Sequence, residues 1–290
     1  MHSGGSENPF CQCSAMADHV LPRWWGRQER QRPRQAPRTA GTAADIRLGK
    51  AFRSTIPPPD PMVGGVVLLL PDGEPDSERG PSRWAAARAR PLGRALARAG
   101  GPHGLVVHPV RYRSRGWNGT QARLAEDAVG AADEVLRRYG DVPVCLAGHG
   151  LGGRAALHAA DHPSVGVVLA LAPWLPEGPA SAAEPVRQLV GRRVMIVHGT
   201  NDRRTDPDLS YRLAERAKKV NRSICRFEVH TDGNALRQHH AEVLALATDF
   251  VLGSLFPHPY ARPVADALAA PPPLGLRMPL AAGFGRSLRP

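Results

Sequence analysis

Short runs of apolar residues alternate with longer segments of mixed polarity between residues 63 and 256. Six of these runs have the length of a strand and are almost continuously apolar, which is typical of strands buried on both faces. We predict strands at Val66–Leu70, Leu105–Val110, Val142–Ala147, Val165–Leu171, Val194–Val197 and Ile224–Val229. Their alternation with helical patterns predicts repeated βα units around a mostly parallel, doubly wound sheet.

The segments between the predicted strands carry apolar residues at helical spacing or are rich in alanine. We predict helices at Ser82–Ala99, interrupted near Pro91, and at Gln121–Tyr139, Gly152–Ala160, Asp208–Val220 and Leu236–Leu252. The stretch from Pro173 to Val190 is predicted to be a loop or a short helical excursion. Because this stretch is short, we expect a minimal cap over the sheet.

Two flanking segments lack this periodicity. Residues 1–62 are rich in Arg, Gln, Pro and Gly and end in TIPPPDP, and residues 257–290 contain PPPLGLRMPL. Such segments bury too little apolar surface to offset the entropy lost on ordering. We therefore predict a basic, disordered arm (1–62), one domain (63–256) and a Pro/Ala/Gly-rich tail (257–290).

The 290-residue chain has a formal net charge of +12. The surplus is spread along it, with four positive charges in 1–62, five in 63–256 and three in 257–290. No basic run has interleaved aromatic residues, so we expect no nucleic-acid partner. The longest apolar stretch, VVLLL at 66–70, is far too short to span a bilayer, and we see no secretory signal. We therefore expect a cytoplasmic protein without a membrane partner.

The four cysteines do not form a disulfide framework in a chain of this length. Cys145 and Cys225 lie in apolar runs, where cysteine behaves as a small hydrophobic residue. Cys11 and Cys13 could bind a metal with His19, but no second ligand pair follows at zinc spacing. We expect no metal and no other cofactor.

One predicted strand-to-helix turn carries the strongest chemical signal. In VCLAGHGLGGRAAL (144–157), an apolar strand runs into a glycine-rich corner and then into a helix. In a G-x-S-x-G nucleophile elbow, the middle residue has a strained backbone, and small neighbours let strand and helix approach closely. Gly148, His149 and Gly152 match the elbow, but the middle residue is Gly150, which has no nucleophilic atom.

Two later loops follow predicted strands and carry polar residues. HGTNDRRTDP places Asp202 after the fifth predicted strand, and HTDGNALRQHH follows the sixth. Catalytic groups and ligands of open α/β sheets collect at such strand ends. Asp202 alone fits either a loop carboxylate that caps a turn or the acid of a catalytic triad. Its position after the elbow favours the triad.

Together these motifs make residues 63 to about 256 resemble a compact α/β-hydrolase domain of the kind that many actinobacterial genomes encode. The resemblance implies serine, acid and histidine in that chain order, with the histidine on the loop after the last strand. By this pattern, Gly150 holds the nucleophile position, Asp202 the acid position and Asn234 the histidine position.

The resemblance also implies an oxyanion site made of two backbone amides. One belongs to Leu151, and the other lies in PDGE at 71–74, where we assign it to Gly73. Asp72 stands beside these amides. Its carboxylate would oppose a developing negative charge unless it points to solvent.

Acyl transfer needs an attacking oxygen and a base, and neither Gly150 nor the amide of Asn234 supplies one. We therefore expect a relative of serine esterases with absent or very weak hydrolase activity, retained to bind a small molecule or an ester-like ligand. One alternative is a working ester or amide hydrolase that uses His239 or His240 and an activated water. Another is an interaction scaffold.

Overall fold

The computed structural model describes residues 47–52, 54, 62–179 and 184–286, all of which belong to one compact unit. Most of the predicted arm lies outside these ranges, as do Cys11, Cys13 and His19. The division of the chain at residues 62 and 257 stays a prediction.

In the described residues, eight strands form one sheet, and all six predicted strands are present. Their bounds are β1 Arg47–Leu48, β2 Gly65–Leu70, β3 Leu105–Arg111, β4 Val144–His149, β5 Val165–Leu171, β6 Arg193–Gly199, β7 Ile224–Val229 and β8 Met278–Pro279. The order across the sheet is β1-β3-β2-β4-β5-β6-β7-β8. Strands β2 to β8 pair in parallel, and β1 pairs antiparallel with β3 at one edge. The prediction of a mostly parallel sheet is confirmed.

Six helices of the described chain connect and cover the strands. Their bounds are α1 Arg83–Gly100, α2 Arg123–Tyr139, α3 Leu151–His158, α4 Pro207–Val220, α5 His240–Leu255 and α6 Arg262–Ala269. Helix α1 continues through Pro91, where we had predicted an interruption. Helix α5 begins four residues later than predicted, because the Asp232 carboxylate binds the backbone N–H groups of residues 237–239 and holds them in a loop.

The sheet is covered on both faces, as its apolar strands require. Helices α2, α3 and α4 pack on one face, and α1, α5 and α6 pack on the other. Every residue of β2 is buried, and Cys145 and Cys225 are free and buried inside β4 and β7. The carboxyl ends of β2, β4, β6 and β7 therefore meet at one edge of a rigid core.

The segment after Phe256 adds α6 and β8, which the sequence pattern did not predict. Val264, Ala267 and Leu276 are buried against the sheet. Both elements are short and separated by prolines, so neither shows a periodicity that can be read from sequence.

We expect Leu276→Ala to lower the free energy of unfolding by about 2–5 kcal/mol, because Leu276 is fully buried. The matched control is Leu274→Ala, two residues away, since Leu274 is 68% exposed. Urea titration of both variants measures the difference. Equal stability of the two variants would show that residues 257–286 contribute nothing to the core.

Candidate functional site

Four loops meet where the parallel strands end. Asp72 follows β2, Gly150 joins β4 to α3, Asp202 follows β6 and Asn234 follows β7. The parallel register places these loops side by side at the carboxyl edge of the sheet, where open α/β folds carry their sites. The structure thus brings together the residues that we assigned to the nucleophile, acid and histidine positions.

Gly150 has the backbone of a sharp strand-to-helix turn, with φ 57° and ψ −125°. This conformation is strained for a residue with a Cβ and open to glycine. A Cβ on Gly148 would collide with the Gly152 carbonyl, so the two small residues allow strand and helix to cross closely. The local geometry is that of an elbow, without a side chain at its tip.

The Asp72 carboxylate fills the space at that tip. The amides of Leu151 and Gly73, which we predicted to bind an oxyanion, both donate to Asp72 Oδ1 at 2.9 Å. A Cβ built on Gly150 would overlap the same carboxylate. Asp72 therefore points inward to the amides and not to solvent, and a fixed negative charge already stands where they converge.

Arg204 holds Asp72 in this position. Its guanidinium donates to Asp72 Oδ2 and, at 3.2 Å, to the carbonyl oxygen of Gly73. The Asp72 side chain is 12% exposed and the Arg204 side chain 38% exposed, so the carboxylate is largely buried and water reaches the ion pair from the arginine side. The amides, the carboxylate and the guanidinium form a closed set in which each charge is paired.

The neighbouring histidine of the elbow, His149, contacts the loop that carries Asn234. Its Nε2 lies 2.7 Å from the Asn234 carbonyl oxygen and therefore donates to it. Burial lowers the pKa of His149, although the Asp72 charge acts in the opposite direction. The neutral ring then leaves Nδ1 as an acceptor, 4.0 Å from Asp72 Oδ2.

Asn234 and Asp202 are hydrogen-bonded, as a histidine and its acid would be. Asn234 Nδ2 donates to Asp202 Oδ2 at 3.1 Å, and Asp202 Oδ1 accepts the backbone N–H groups of Arg204 and Thr205. Burial would raise the pKa of Asp202, but the hydrogen bonds from His198, Arg204 and Asn234 outweigh it and lower the pKa. Asp202 is thus an ionised carboxylate that orients an amide.

A second chain of hydrogen bonds, made by His198 and Ser210, also reaches the Asp202 carboxylate. His198 Nε2 lies 3.1 Å from Asp202 Oδ2, and His198 Nδ1 lies 2.9 Å from Ser210 Oγ. This sequence of groups resembles a triad, but His198 and Ser210 are both fully buried. With no access for a substrate, it serves to fix the Asp202 loop on the sheet.

The two histidines considered as alternative bases occupy different places. His239 lies just before α5, and its backbone N–H binds Asp232. His240 begins α5 and lines a cavity together with Asp72 and His149. Of the two, only His240 faces the site.

That cavity, of about 340 Å³, lies beside the elbow on the α1 and α5 side of the sheet. Its walls are mainly apolar, and polar side chains stand at its floor and rim. The apolar wall includes Leu69, Leu92, Leu171, Leu236, Val243 and Leu244, and the polar groups include Asp72, Arg88, His149, Arg204 and His240. Its size and lining suit a small, mostly apolar molecule.

Two buried histidines and the partly buried His149 should make the fold sensitive to mild acid. Burial lowers the pKa of His108, His149 and His198 below the usual 6.5. Protons then bind the unfolded chain preferentially, so stability is lost as the pH falls below about 6.5, by up to about 1.4 kcal/mol per pH unit for each histidine.

Urea unfolding between about pH 7.5 and 5 tests this, since most carboxylates stay ionised there. We expect His108→Gln to flatten the dependence of the free energy of unfolding on pH, because the pKa of His108 is lowered by burial. A wild type equally stable across this range would contradict the prediction.

The sequence alone left three features of the site unpredicted. It did not identify Arg204 as the partner of Asp72, because the two residues are 132 positions apart. Asp72 was expected to be an unfavourable neighbour of the oxyanion amides, and its position as the acceptor of both amides was not predicted. His198 was missed because the predicted strand ended at Val197 and left His198 in a polar loop, whereas β6 extends to Gly199 and buries it.

No family model and no curated protein matches this sequence. Solved structures do match. An esterase from Pyrococcus furiosus aligns with TM-score 0.54 and 15% identity over 78% of this chain and 100% of that one. A butyrate-bound esterase from Thermogutta terrifontis aligns with TM-score 0.54 and 18% identity over 72% of this chain and 89% of that one. An alpha-beta serine hydrolase homologue from Coxiella burnetii aligns with TM-score 0.51 and 14% identity over 71% of this chain and 96% of that one.

These likenesses establish a shared fold. In the described part of the chain, no helix is both long and apolar enough to cross a bilayer.

Proposed function

We propose, on the premise that this chain has the α/β-hydrolase fold, that it is a binding protein with absent or very weak hydrolase activity. The observation that carries the proposal is the Asp72 carboxylate, which accepts both amides at the elbow. Gly150 and Asn234 stand where the resemblance implies serine and histidine. The nucleophile and the base are thus absent, and the oxyanion site is occupied by Asp72.

The electrostatics of the site oppose acyl transfer even with water as the nucleophile. A tetrahedral intermediate needs hydrogen-bond donors free to receive its developing negative charge. Here the donors already bind a carboxylate, which Arg204 holds in place. Bringing a second negative charge to the same amides requires Asp72 to leave.

A working hydrolase with a rearranged site is the second candidate, and one observation favours it. His149 and His240 both line the cavity, and the neutral His149 offers Nδ1 as a proton acceptor. Either histidine could activate a water molecule there. If this is the function, His149→Ala or His240→Ala should abolish a robust wild-type turnover.

Binding without turnover can be measured with one ligand. The Thermogutta esterase holds butyrate, so 1-naphthyl butyrate is a suitable probe, with an apolar body of a size that fits the cavity. We expect saturable binding, measured by quenching of tryptophan fluorescence, with no release of naphthol above background.

A variant that fills the cavity supplies the specificity control. Ala89 on α1 lines the cavity, whereas Ala86 on the same helix does not. We expect Ala89→Trp to abolish binding and Ala86→Trp to preserve it. Naphthol release by the wild type that Ala89→Trp abolishes would support the rearranged hydrolase, and equal binding by both variants would exclude the cavity as the site.

A further inference from the structure

Helix α1 presents a stripe of arginines that the site does not use. Arg83, Arg90, Arg94 and Arg98 are all exposed. At 100° per residue they fall within about 80° of arc and extend about 22 Å along the helix. The helix contains no acidic residue. Within the described ranges, no carboxylate forms an ion pair with any of the four.

The edge of this stripe carries an exposed aromatic side chain. Trp84 is 84% exposed, and it lines the mouth of the cavity together with exposed Arg88, one turn further along α1. Both residues continue the arc of the arginine stripe on one side. Cations, a solvated indole and an apolar opening therefore lie next to one another on one surface.

This combination of groups distinguishes between anionic partners. A single-stranded nucleic acid would be expected to place phosphates on the arginines and bases against aromatic side chains along the same track. The four arginines of the stripe have no aromatic residue among them, and Trp84 stands at one end of the stripe, beside the apolar cavity. Arginines around an apolar opening with a tryptophan at the rim suit a bilayer surface, where cations meet headgroups and indole enters the interface.

We propose that the α1 surface, defined as Arg83, Trp84, Arg88, Arg90, Arg94 and Arg98, docks on membranes that contain anionic phospholipid. The inference is independent of whether the elbow is catalytic. It revises the expectation of no membrane partner, which rested on the absence of an apolar stretch long enough to span a bilayer and did not consider docking on its surface. The fold gathers the five arginines of this surface onto one helix face.

Docking in this orientation would place the cavity mouth against the lipid surface. An apolar molecule dissolved in the bilayer could then enter between Trp84 and Arg88 without crossing water. The α1 surface and the cavity would thus act together in taking up a molecule from the bilayer, although each can be tested without the other.

Co-sedimentation of the full-length chain with lipid vesicles tests the proposal. Vesicles of phosphatidylcholine are compared with vesicles containing about one-third phosphatidylglycerol, at about 0.05 and 0.5 M salt. We expect binding to the anionic vesicles only, weakened at high salt. Each arginine near such a surface contributes about fivefold, so Arg83→Gln/Arg90→Gln/Arg94→Gln/Arg98→Gln should bind several hundred-fold more weakly, by roughly 600-fold if the four contributions are additive.

A matched control removes four charges from the opposite layer. Arg187, Arg212, Lys219 and Arg222 are exposed in or near α4, and their replacement by Gln should change binding by no more than a few-fold. Trp84→Ala should weaken binding while keeping its salt dependence. Circular dichroism and thermal melting verify that each variant is folded.

Two results would overturn the proposal. One is an equal loss of vesicle binding in the stripe variant and the α4 control, which would reduce the effect to net charge. The other is binding to a DNA duplex that depends on the stripe, with no preference for anionic over neutral vesicles. That second result would assign the surface to nucleic acid.

Discussion

A variant that carries Gly150→Ser, Asn234→His and Asp72→Ala together is expected to hydrolyse 4-nitrophenyl butyrate at least about 10³-fold faster than the wild type. The serine supplies the attacking oxygen, and a histidine at 234 lies within hydrogen-bonding range of Asp202, as Asn234 now does. Removal of the Asp72 carboxylate frees the amides of Leu151 and Gly73. Nucleophile, base and oxyanion donors act as one unit, so their restoration is strongly non-additive.

The control for this gain keeps the side chain of residue 72 in place. Gly150→Ser/Asn234→His with Asp72→Asn removes the same charge but leaves an oxygen that can accept the two amides. We expect it, and the double variant with native Asp72, to stay near the wild-type rate. A double variant as active as the triple would show that Asp72 does not block the site.

Gly150→Ala is expected to lower the free energy of unfolding by about 2–4 kcal/mol. Two effects combine, namely the strain of a Cβ at φ 57° and the overlap of that Cβ with the Asp72 carboxylate. In an Asp72→Ala background the overlap disappears, so the same substitution should be less destabilising by at least about 1 kcal/mol. Urea unfolding of the four members of this cycle measures the coupling.

Gly191→Ala separates strain from overlap. Gly191 has φ 76°, and a Cβ there would have no neighbour within 4 Å. Gly191→Ala should therefore lower the free energy of unfolding only by the backbone strain, and Asp72→Ala should not change the size of this loss. Equal coupling of Asp72 to Gly150 and Gly191 would contradict the contact on which the account rests.

The fold was largely predictable because its strands are buried on both faces. A strand such as β2, with every residue buried, reads as an apolar run whatever surrounds it. Strands β1 and β8 were not predicted, since each has two residues and takes its pairing from the neighbouring strand. Such elements are set by tertiary contacts, which leave no local pattern.

The candidate site was predictable in its positions and not in its contacts. The elbow motif located Gly150, and chain order located Asp202 and Asn234. The inward orientation of Asp72 depends on Arg204, which arrives from a different loop. The difference between a carboxylate that disturbs an oxyanion site and one that occupies it lies in that long-range ion pair, which spacing along the chain does not encode.

The most direct test of the central claim is the rate at which the purified wild type hydrolyses 4-nitrophenyl butyrate, compared with His149→Ala, His239→Ala and His240→Ala. With both amides bound to Asp72 and no nucleophile at Gly150, we predict a slow rate that none of the three substitutions changes by more than about twofold. Robust wild-type turnover that one of these histidine variants abolishes would contradict the account and establish a working hydrolase with a rearranged site.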